Sequence, residues 1–359
     1  MTMRIAVAGA HLDGFSGIPR HLIAALQQHA DVVRWDLPRY QPPLMRRVAA
    51  RLDRKQYLWD KDPRRCAFHS RALDELAERQ RVDAVLLIGS ESGAFSRTAT
   101  PIFGFGDSIF GSRVDLYADQ MLERISARSV REGIDVQQRA LDKMRLFFST
   151  SQWAWDRAVA RFRYRVDPRR LHVTLVGANL PHTPAALPVA TTPPRFLWVG
   201  TDWVRKRGDF AIAVVRALRE RGLDAELDLV GPVQLPSSPA WVRVHGPLTA
   251  ENGLAERYAA ATALLLPTAA DLTPVVIAEA AMMGRPAIAS PAGAIPEMIR
   301  DGESGLVIAG DDPSAWAAII AANVSSLPRL GNVARRCYEE QLNWTGIAAG
   351  MVRRMEEML

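Results

Sequence analysis

Residues 196–208, FLWVGTDWVRKRG, run from an apolar stretch through Gly200 to three consecutive cations, Arg205, Lys206 and Arg207, just ahead of a helix-forming segment. Cations delivered beside a helix N-terminus suit a diphosphate, because fixed charge and open backbone N–H groups act on one anion. The same triplet also reads as a solvated basic loop. Further on, 264–279, LLLPTAADLTPVVIAE, sets Asp271 and Glu279 in an acidic-x7-acidic spacing. Asp271 falls in a polar loop with Thr268 and Thr273, and Pro274 stands where a helix can begin. Glu279 sits one or two turns into that helix, among Ile277, Ala278, Ala280 and Ala281. A carboxylate in so apolar a stretch is expensive without a partner. A pair of sugar hydroxyls is one suitable partner, and an arginine is another. Backbone N–H groups around Thr273 to Val276, with Val275 following Pro274, would sit at the positive end of the helix, ready for phosphate oxygens. The alternative there is an ordinary cap made by Asp271 or Thr273. A third run, 287–297 (AIASPAGAIPE), turns at Gly293 and puts Glu297 in the first turn of a helix, which accounts for it without a ligand.

The elements that would hold these residues alternate between short apolar runs and longer amphipathic ones. In the first half, strands are expected at 4–8, 31–36, 84–88, 101–105, 146–149 and 173–176, and helices at 18–29, 72–80, 114–143 and 152–162. In the second half, strands are expected at 196–199, 225–230, 241–245, 263–266 and 287–290, with helices at 209–220, 254–261 and 274–283. The stretch from Asn332 onward reads as helical, interrupted at Trp344. Such alternation implies an α/β fold of two doubly wound, Rossmann-like domains, each a parallel sheet covered on both faces. Ligands in such sheets lie beyond the carboxyl ends of the strands, so two domains facing each other would hold a substrate in a cleft. Five prolines within 180–195 deny regular structure there and mark a linker at 181–195. It would divide an N-terminal domain, 1–180, from a C-terminal domain, 196–340, with a terminal helix over 341–359 that can pack back on the first domain.

Composition removes several classes. With 48% apolar and 23% charged residues, the 359-residue chain reads as globular and not as a disordered tail, a collagen repeat or a rod. Cys66 and Cys337 are too few for a disulfide scaffold or a four-thiolate zinc site, and reduced cytoplasmic thiols are the simple reading. No apolar run approaches a membrane span, and the N-terminus reads as strand and loop, not as a secretory signal. The seven histidines show no metal-ligand spacing, so neither metal nor cofactor is expected. A net charge of +6 suits phosphates, nucleic acid or an anionic membrane without choosing among them. The arginines do not cluster with aromatics, which argues against nucleic acid as a partner. Residues 39–65 are basic and carry Leu44, Val48, Leu52, Tyr57 and Trp59. They read as a solvated insertion, or as a surface lying against a membrane or an anionic polymer.

In order, Arg205-Lys206, Asp271 and Glu279, the run 284–289 (GRPAIA), the run 293–297 (GAIPE) and the run 301–306 (DGESGL) resemble the donor domain of the retaining GT-B glycosyltransferases of family 4. The resemblance covers roughly 196–325 strongly and the first half more weakly. It implies a nucleotide diphosphate held by Lys206 and Arg205, a donor sugar contacted by Asp271, and a ribose contacted by Glu279. Two departures stand out. Asp271 replaces the usual Glu and is one methylene shorter, and the family's Lys-Gly is Lys206-Arg207, with glycine delayed to Gly208. In the first half, Gly14 and Gly17 match a loop facing the donor phosphate and acceptor, or form a plain strand-to-helix turn. Asp107, in the run 106–110 (GDSIF), stands where many relatives have histidine. It could orient the acceptor hydroxyl, contact the donor sugar, or cap the next segment. The runs 149–154 (STSQWA) and 177–179 (GAN) match further pieces of a family subset.

The implied reaction moves a sugar from a nucleotide sugar to the hydroxyl of an acceptor glycan, lipid-linked intermediate or small molecule. Lys206, Arg205 and the helix N-terminus near Pro274 would stabilise charge on the leaving diphosphate in place of a divalent metal. The resemblance implies retention of anomeric configuration with no protein nucleophile, and a role in polysaccharide or glycoconjugate biosynthesis in the cytoplasm or at the inner membrane face. A sugar-nucleotide epimerase of the same fold and a two-lobed ligand-binding protein are the competing readings.

Overall fold

The computed structural model describes residues 2–10, 12–14, 17–52, 55–116, 124–181 and 192–359. Most of the expected linker, 182–191, lies outside the described residues. The chain forms two compact units, Met1–Leu175 with Trp344–Leu359, and Val176–Asn343.

The first unit holds β1 (Arg4–Gly9), β2 (Asp31–Asp36), β3 (Ala84–Ile88), β4 (Ile102–Gly106), β5 (Leu146–Ser149) and β6 (Leu171–Val173) in one parallel sheet of order β2-β1-β3-β4-β5-β6. The central strands read as unbroken apolar runs because both of their faces are covered by helices. Val85, Leu87, Phe147 and Trp155 belong to the resulting core. Helix starts are set locally. Asp62, Ser126 and Ser151 each accept a backbone N–H in the first turn of the helices Pro63–Gln80, Ala127–Lys143 and Gln152–Phe162. Only part of the single helix expected over 114–143 is seen, since helices occupy Phe110–Leu116 and Ala127–Lys143 and 117–123 lie outside the described residues.

The second unit holds β7 (Arg195–Val199), β8 (Glu226–Val230), β9 (Val242–Val244), β10 (Ala263–Leu266), β11 (Ala287–Ala289) and β12 (Gly305–Val307), all parallel, in the order β9-β8-β7-β10-β11-β12. The chain leaves β7 toward one edge of the sheet and β10 toward the other. That reversal opens a crevice beyond the carboxyl ends of β7 and β10, the position where open α/β sheets bind ligands. The loop after β7 carries Arg205 and Lys206, and the loop after β10 carries Asp271. Beneath them lies a core that includes Trp198, Leu265, Ile288 and Trp316. The helix Val275–Met282 is buried on nearly all sides, which is why its apolar sequence shows no polar face.

Candidate functional site

The loop after β7 is anchored from below. Trp198, fully buried in β7, donates its indole N–H to the carbonyl of Lys206 at 3.1 Å. Trp203 stands edge-on to Trp198 with ring centroids 5.2 Å apart, and Gly208 packs so closely on Trp203 that a Cβ there would lie 2.1 Å from the indole. Gly208 therefore serves close packing. The left-handed turn falls one residue earlier, on Arg207, whose φ is 53°. The glycine position of the expected Lys-Gly pair is thus filled by an arginine in a glycine-like conformation. Its guanidinium turns to Asp311 at 2.6 Å and lies 4.2 Å from the Phe210 ring centre.

The other two cations of the triplet behave differently. Lys206, 8% exposed, donates to the Asp271 carboxylate, itself 9% exposed. Arg205 lies 3.6 Å from the same oxygen and donates to the Ala270 carbonyl at 2.7 Å. The two loops are joined further by Ala269 N–H and the Thr268 hydroxyl, both donating to the Arg205 carbonyl, at 2.9 and 3.2 Å. Gly293 backs the Asp271 loop. Its φ is 56°, and a Cβ on it would sit 1.8 Å from the Asp271 carbonyl oxygen. The run 293–297 therefore supports Asp271 through its backbone, while Glu297 is exposed in the short helix Ile295–Met298.

Thr273 is buried, and Pro274 is the N-cap of the helix Val275–Met282, with no side chain capping it. The capping role considered for Asp271 is replaced by its pairing with Lys206 and Arg205. Glu279, 6% exposed, is paired with no arginine among the described residues, so the arginine alternative weighed from sequence is not realised. The Tyr258 hydroxyl donates to Oε2 of Glu279 at 2.8 Å, and the backbone N–H of Asn179 donates to the same carboxylate. Burial pushes the Glu279 carboxyl above its ordinary value, opposed by Tyr258, by Asn179 and by the charge of Lys206. Lys206 and Glu279 thus feel one another. Burial, then the Glu279 charge, also raises the Tyr258 phenol well above the usual range.

Tyr258 and Arg285 are the members of this site that sequence reading missed. Arg285 is 1% exposed and donates to the carbonyls of Tyr258 at 3.1 Å and Ala259 at 2.8 Å, closing the end of the helix Leu254–Ala260 that carries Tyr258. Burial lowers its guanidinium to about 10. A tyrosine in a short helix and an arginine inside the 284–289 run carry no signal of this relation without the tertiary fold.

The remaining sequence candidates lie in the first unit. Gly17, with φ of 77°, is the N-cap of the helix Ile18–Leu26 following β1. Asp107 follows the carboxyl end of β4 and accepts the Ser108 hydroxyl at 3.1 Å. Among the described residues, no three His, Cys, Asp or Glu side chains gather as a metal-ligand set, and no helix is long and apolar enough to cross a membrane.

Chemically, the second-unit site offers a buried cation with a second beside it, an uncapped helix N-terminus, and a carboxylate with room for more donors. A carboxylate offers about four lone-pair positions, and Glu279 uses two of them on Tyr258 and Asn179.

Residues 193–325 match the family model described as Glycosyl transferases group 1. The D-inositol 3-phosphate glycosyltransferase of Streptomyces coelicolor is 33% identical over 111 residues, which is 30% of this chain and 24% of that protein. The chain thus covers about a quarter of that relative's length. The solved sucrose-phosphate synthase from Thermosynechococcus elongatus superposes with a TM-score of 0.70 at 19% identity over 99% of both chains. The Anabaena HepE protein in complex with UDP-glucose superposes with a TM-score of 0.63 at 15% identity, over 99% of this chain and 100% of that one. These likenesses establish the fold as GT-B, with two Rossmann-like α/β units.

Proposed function

We propose that this chain is a glycosyltransferase that moves a sugar from a nucleotide-diphosphate donor to an acceptor hydroxyl, with retention of anomeric configuration. The observation that carries the reading is the convergence of Arg205, Lys206, Asp271 and Glu279 at the carboxyl ends of β7 and β10. Negative charge grows on the β-phosphate as the sugar departs. Lys206 and Arg205 stabilise it, with the helix N-terminus that follows Thr273 and Pro274 and begins at Val275, so no divalent metal is required. Asp271 holds both cations in position and faces the donor sugar. Glu279 accepts the ribose hydroxyls with its two remaining lone pairs, and Tyr258 and Asn179 fix its orientation. Asp107 serves the acceptor hydroxyl or the donor sugar, and the Gly17 turn serves the donor phosphate. The family match over 193–325 supports this reading, because it spans Arg205, Lys206, Asp271, Thr273, Pro274, Val275 and Glu279. The superposition on a protein solved with UDP-glucose supports a nucleotide sugar as donor. The acceptor is a glycan, a lipid-linked intermediate or a small molecule, in polysaccharide or glycoconjugate biosynthesis. The protein works in the cytoplasm or at the inner membrane face.

The test is a thermal-shift screen of nucleotide sugars, followed by proton NMR of the transferred anomer. A ligand that binds only the native state raises the melting temperature by mass action. A shift with one UDP- or GDP-sugar, and a product of the donor's own anomeric configuration, are expected. No shift with any nucleotide sugar, or conversion of the donor alone into an isomerised sugar, would overturn the reading.

A further inference from the structure

The donor-side residues leave unexplained a cavity of ≈ 750 Å³ in the first unit. It opens at the carboxyl ends of β1 and β2, where Ala10 and Leu37 follow the two strands. Its volume falls within the roughly 300–1,000 Å³ of small-molecule sites. Among the described residues, the lining contains Arg39, Arg47 and Arg65 and no carboxylate. Among the described residues, none of these three arginines forms an ion pair. Among the described residues, the carboxylates nearby already have partners, and against burial the charge of Lys61 and then that of Arg65 help hold the Asp60 carboxyl down. Asp62, fully buried, takes Arg46 at 2.6 Å, Glu132 takes Arg128 at 2.8 Å, and Asp60 takes Lys61 at 3.4 Å. Three guanidinium groups around one hollow repel one another, and an anion between them removes that repulsion.

The rest of the wall mixes small, proline and glutamine residues with the rings of Tyr40, Tyr57 and Trp59. Tyr57 and Trp59 meet edge to face with centroids 4.9 Å apart, and the Tyr57 hydroxyl is committed to Glu132 and Arg46. Trp59 and Tyr40 are half-buried. Such rings accept the C–H face of a sugar, while the arginines take charge at its rim. A purely lipid-facing surface would need no concave hollow of this size, and a polymer of alternating charge would need carboxylates here.

We propose that this cavity is a binding site for a phosphorylated sugar ring, its phosphate held by Arg39, Arg47 and Arg65 and its ring against Trp59 and Tyr40. The inference rests on the transferase reading only in naming this ligand as the acceptor, or the part of it nearest the protein.

The test is calorimetric titration of the full chain with D-glucose 6-phosphate, D-glucose and inorganic phosphate, with UDP titrated separately. Glucose 6-phosphate is expected to bind at least tenfold more tightly than either fragment. The doubly substituted R39Q/R47Q protein should lose roughly tenfold or more of that affinity. Arg39 and Arg47 are exposed, so its melting temperature and its affinity for UDP should stay as they are. R65Q and W59A should each weaken glucose 6-phosphate in the same way. The proposal is overturned if the three ligands bind alike, if none binds, or if R39Q/R47Q binds glucose 6-phosphate as the unaltered chain does. It is equally overturned if the arginines govern only adhesion to phosphatidylglycerol vesicles. Failure to bind UDP contradicts the donor assignment instead, and leaves the sugar-phosphate result to be read by itself.

Discussion

Replacing Tyr258 with phenylalanine removes one oxygen from the donor site and nothing else. Tyr258 is fully buried, and its hydroxyl is the 2.8 Å donor to a Glu279 carboxylate that is 6% exposed. The ring volume is conserved, so no cavity opens. A hydrogen bond to a charged group is worth about 1.5–3 kcal/mol, and here the acceptor left behind is buried. Glu279 keeps the Asn179 amide, which limits the loss. Y258F should therefore unfold about 2 kcal/mol more easily in urea, and burial should push the Glu279 carboxyl still higher. A carboxylate free to swing presents its lone pairs less well to a ribose. UDP affinity measured by calorimetry should fall about tenfold, which corresponds to about 1.4 kcal/mol. The decisive comparison is a double-mutant cycle with E279Q. If Tyr258 acts through Glu279, Y258F should change UDP affinity little once Glu279 is gone. Unchanged UDP affinity in Y258F, or strictly additive losses in the cycle, would refute the positioning argument.

Three further outcomes follow from the same geometry. R207G should be more stable than R207A by about 1 kcal/mol in urea, because both lose the exposed pair with Asp311 but only glycine adopts φ of 53° without strain; equal stabilities would remove the left-handed turn from the account. G293A should cost more than about 2 kcal/mol and abolish UDP binding, since its Cβ would meet the Asp271 carbonyl oxygen at 1.8 Å; a normal melting temperature would contradict it. Burial raises the Glu279 carboxyl above its ordinary value of 4.5, so between that value and its folded pKa the native state binds more protons than the unfolded one. Its contribution to stability is full below 4.5 and is lost as pH rises through the folded pKa. The stability of the unaltered chain relative to E279Q should fall with rising pH over that window, and a flat or rising difference in urea titrations would contradict the shift.

Long buried strands were the most legible part of the chain. The run 263–266 (ALLL) is a strand over the expected residues because a central parallel strand is buried on both faces. Weak periodicity hid other elements. The helix Pro313–Asn323 is apolar on most of its turns and shows no stripe, and the helix Leu44–Leu52 is too basic and short to stand out. β12 has three residues and follows a glycine turn. Trp344 reads as an interruption from composition, yet it begins the helix Trp344–Glu356. The break falls at Leu342 and Asn343, where the Asn343 amide donates to the Tyr338 and Glu339 carbonyls and ends the helix Leu327–Gln341. The strand expected at 173–176 forms at Leu171–Val173, fed directly by the turn Pro168–Arg170.

At the site, the acidic-x7-acidic spacing was readable, since loop and helix are local. What satisfies Glu279 was not, because Tyr258 lies 21 residues away and Asn179 contributes a backbone group. The cation triplet looked uniform in sequence, yet Arg205 and Lys206 face Asp271 while Arg207 makes the turn and pairs with Asp311. Charge runs conceal such division of labour, because only the backbone conformation decides which side chain points inward.

The central claim is that a buried lysine grips the leaving diphosphate. Titration of UDP into K206M, beside the unaltered chain, tests it most directly. Asp271 retains Arg205 at 3.6 Å, so the variant should remain folded, with its melting temperature lowered by only a few degrees. UDP affinity should fall by roughly tenfold to a hundredfold, the worth of one charge-assisted hydrogen bond to phosphate. A folded K206M that binds UDP as tightly as the unaltered protein would contradict the account.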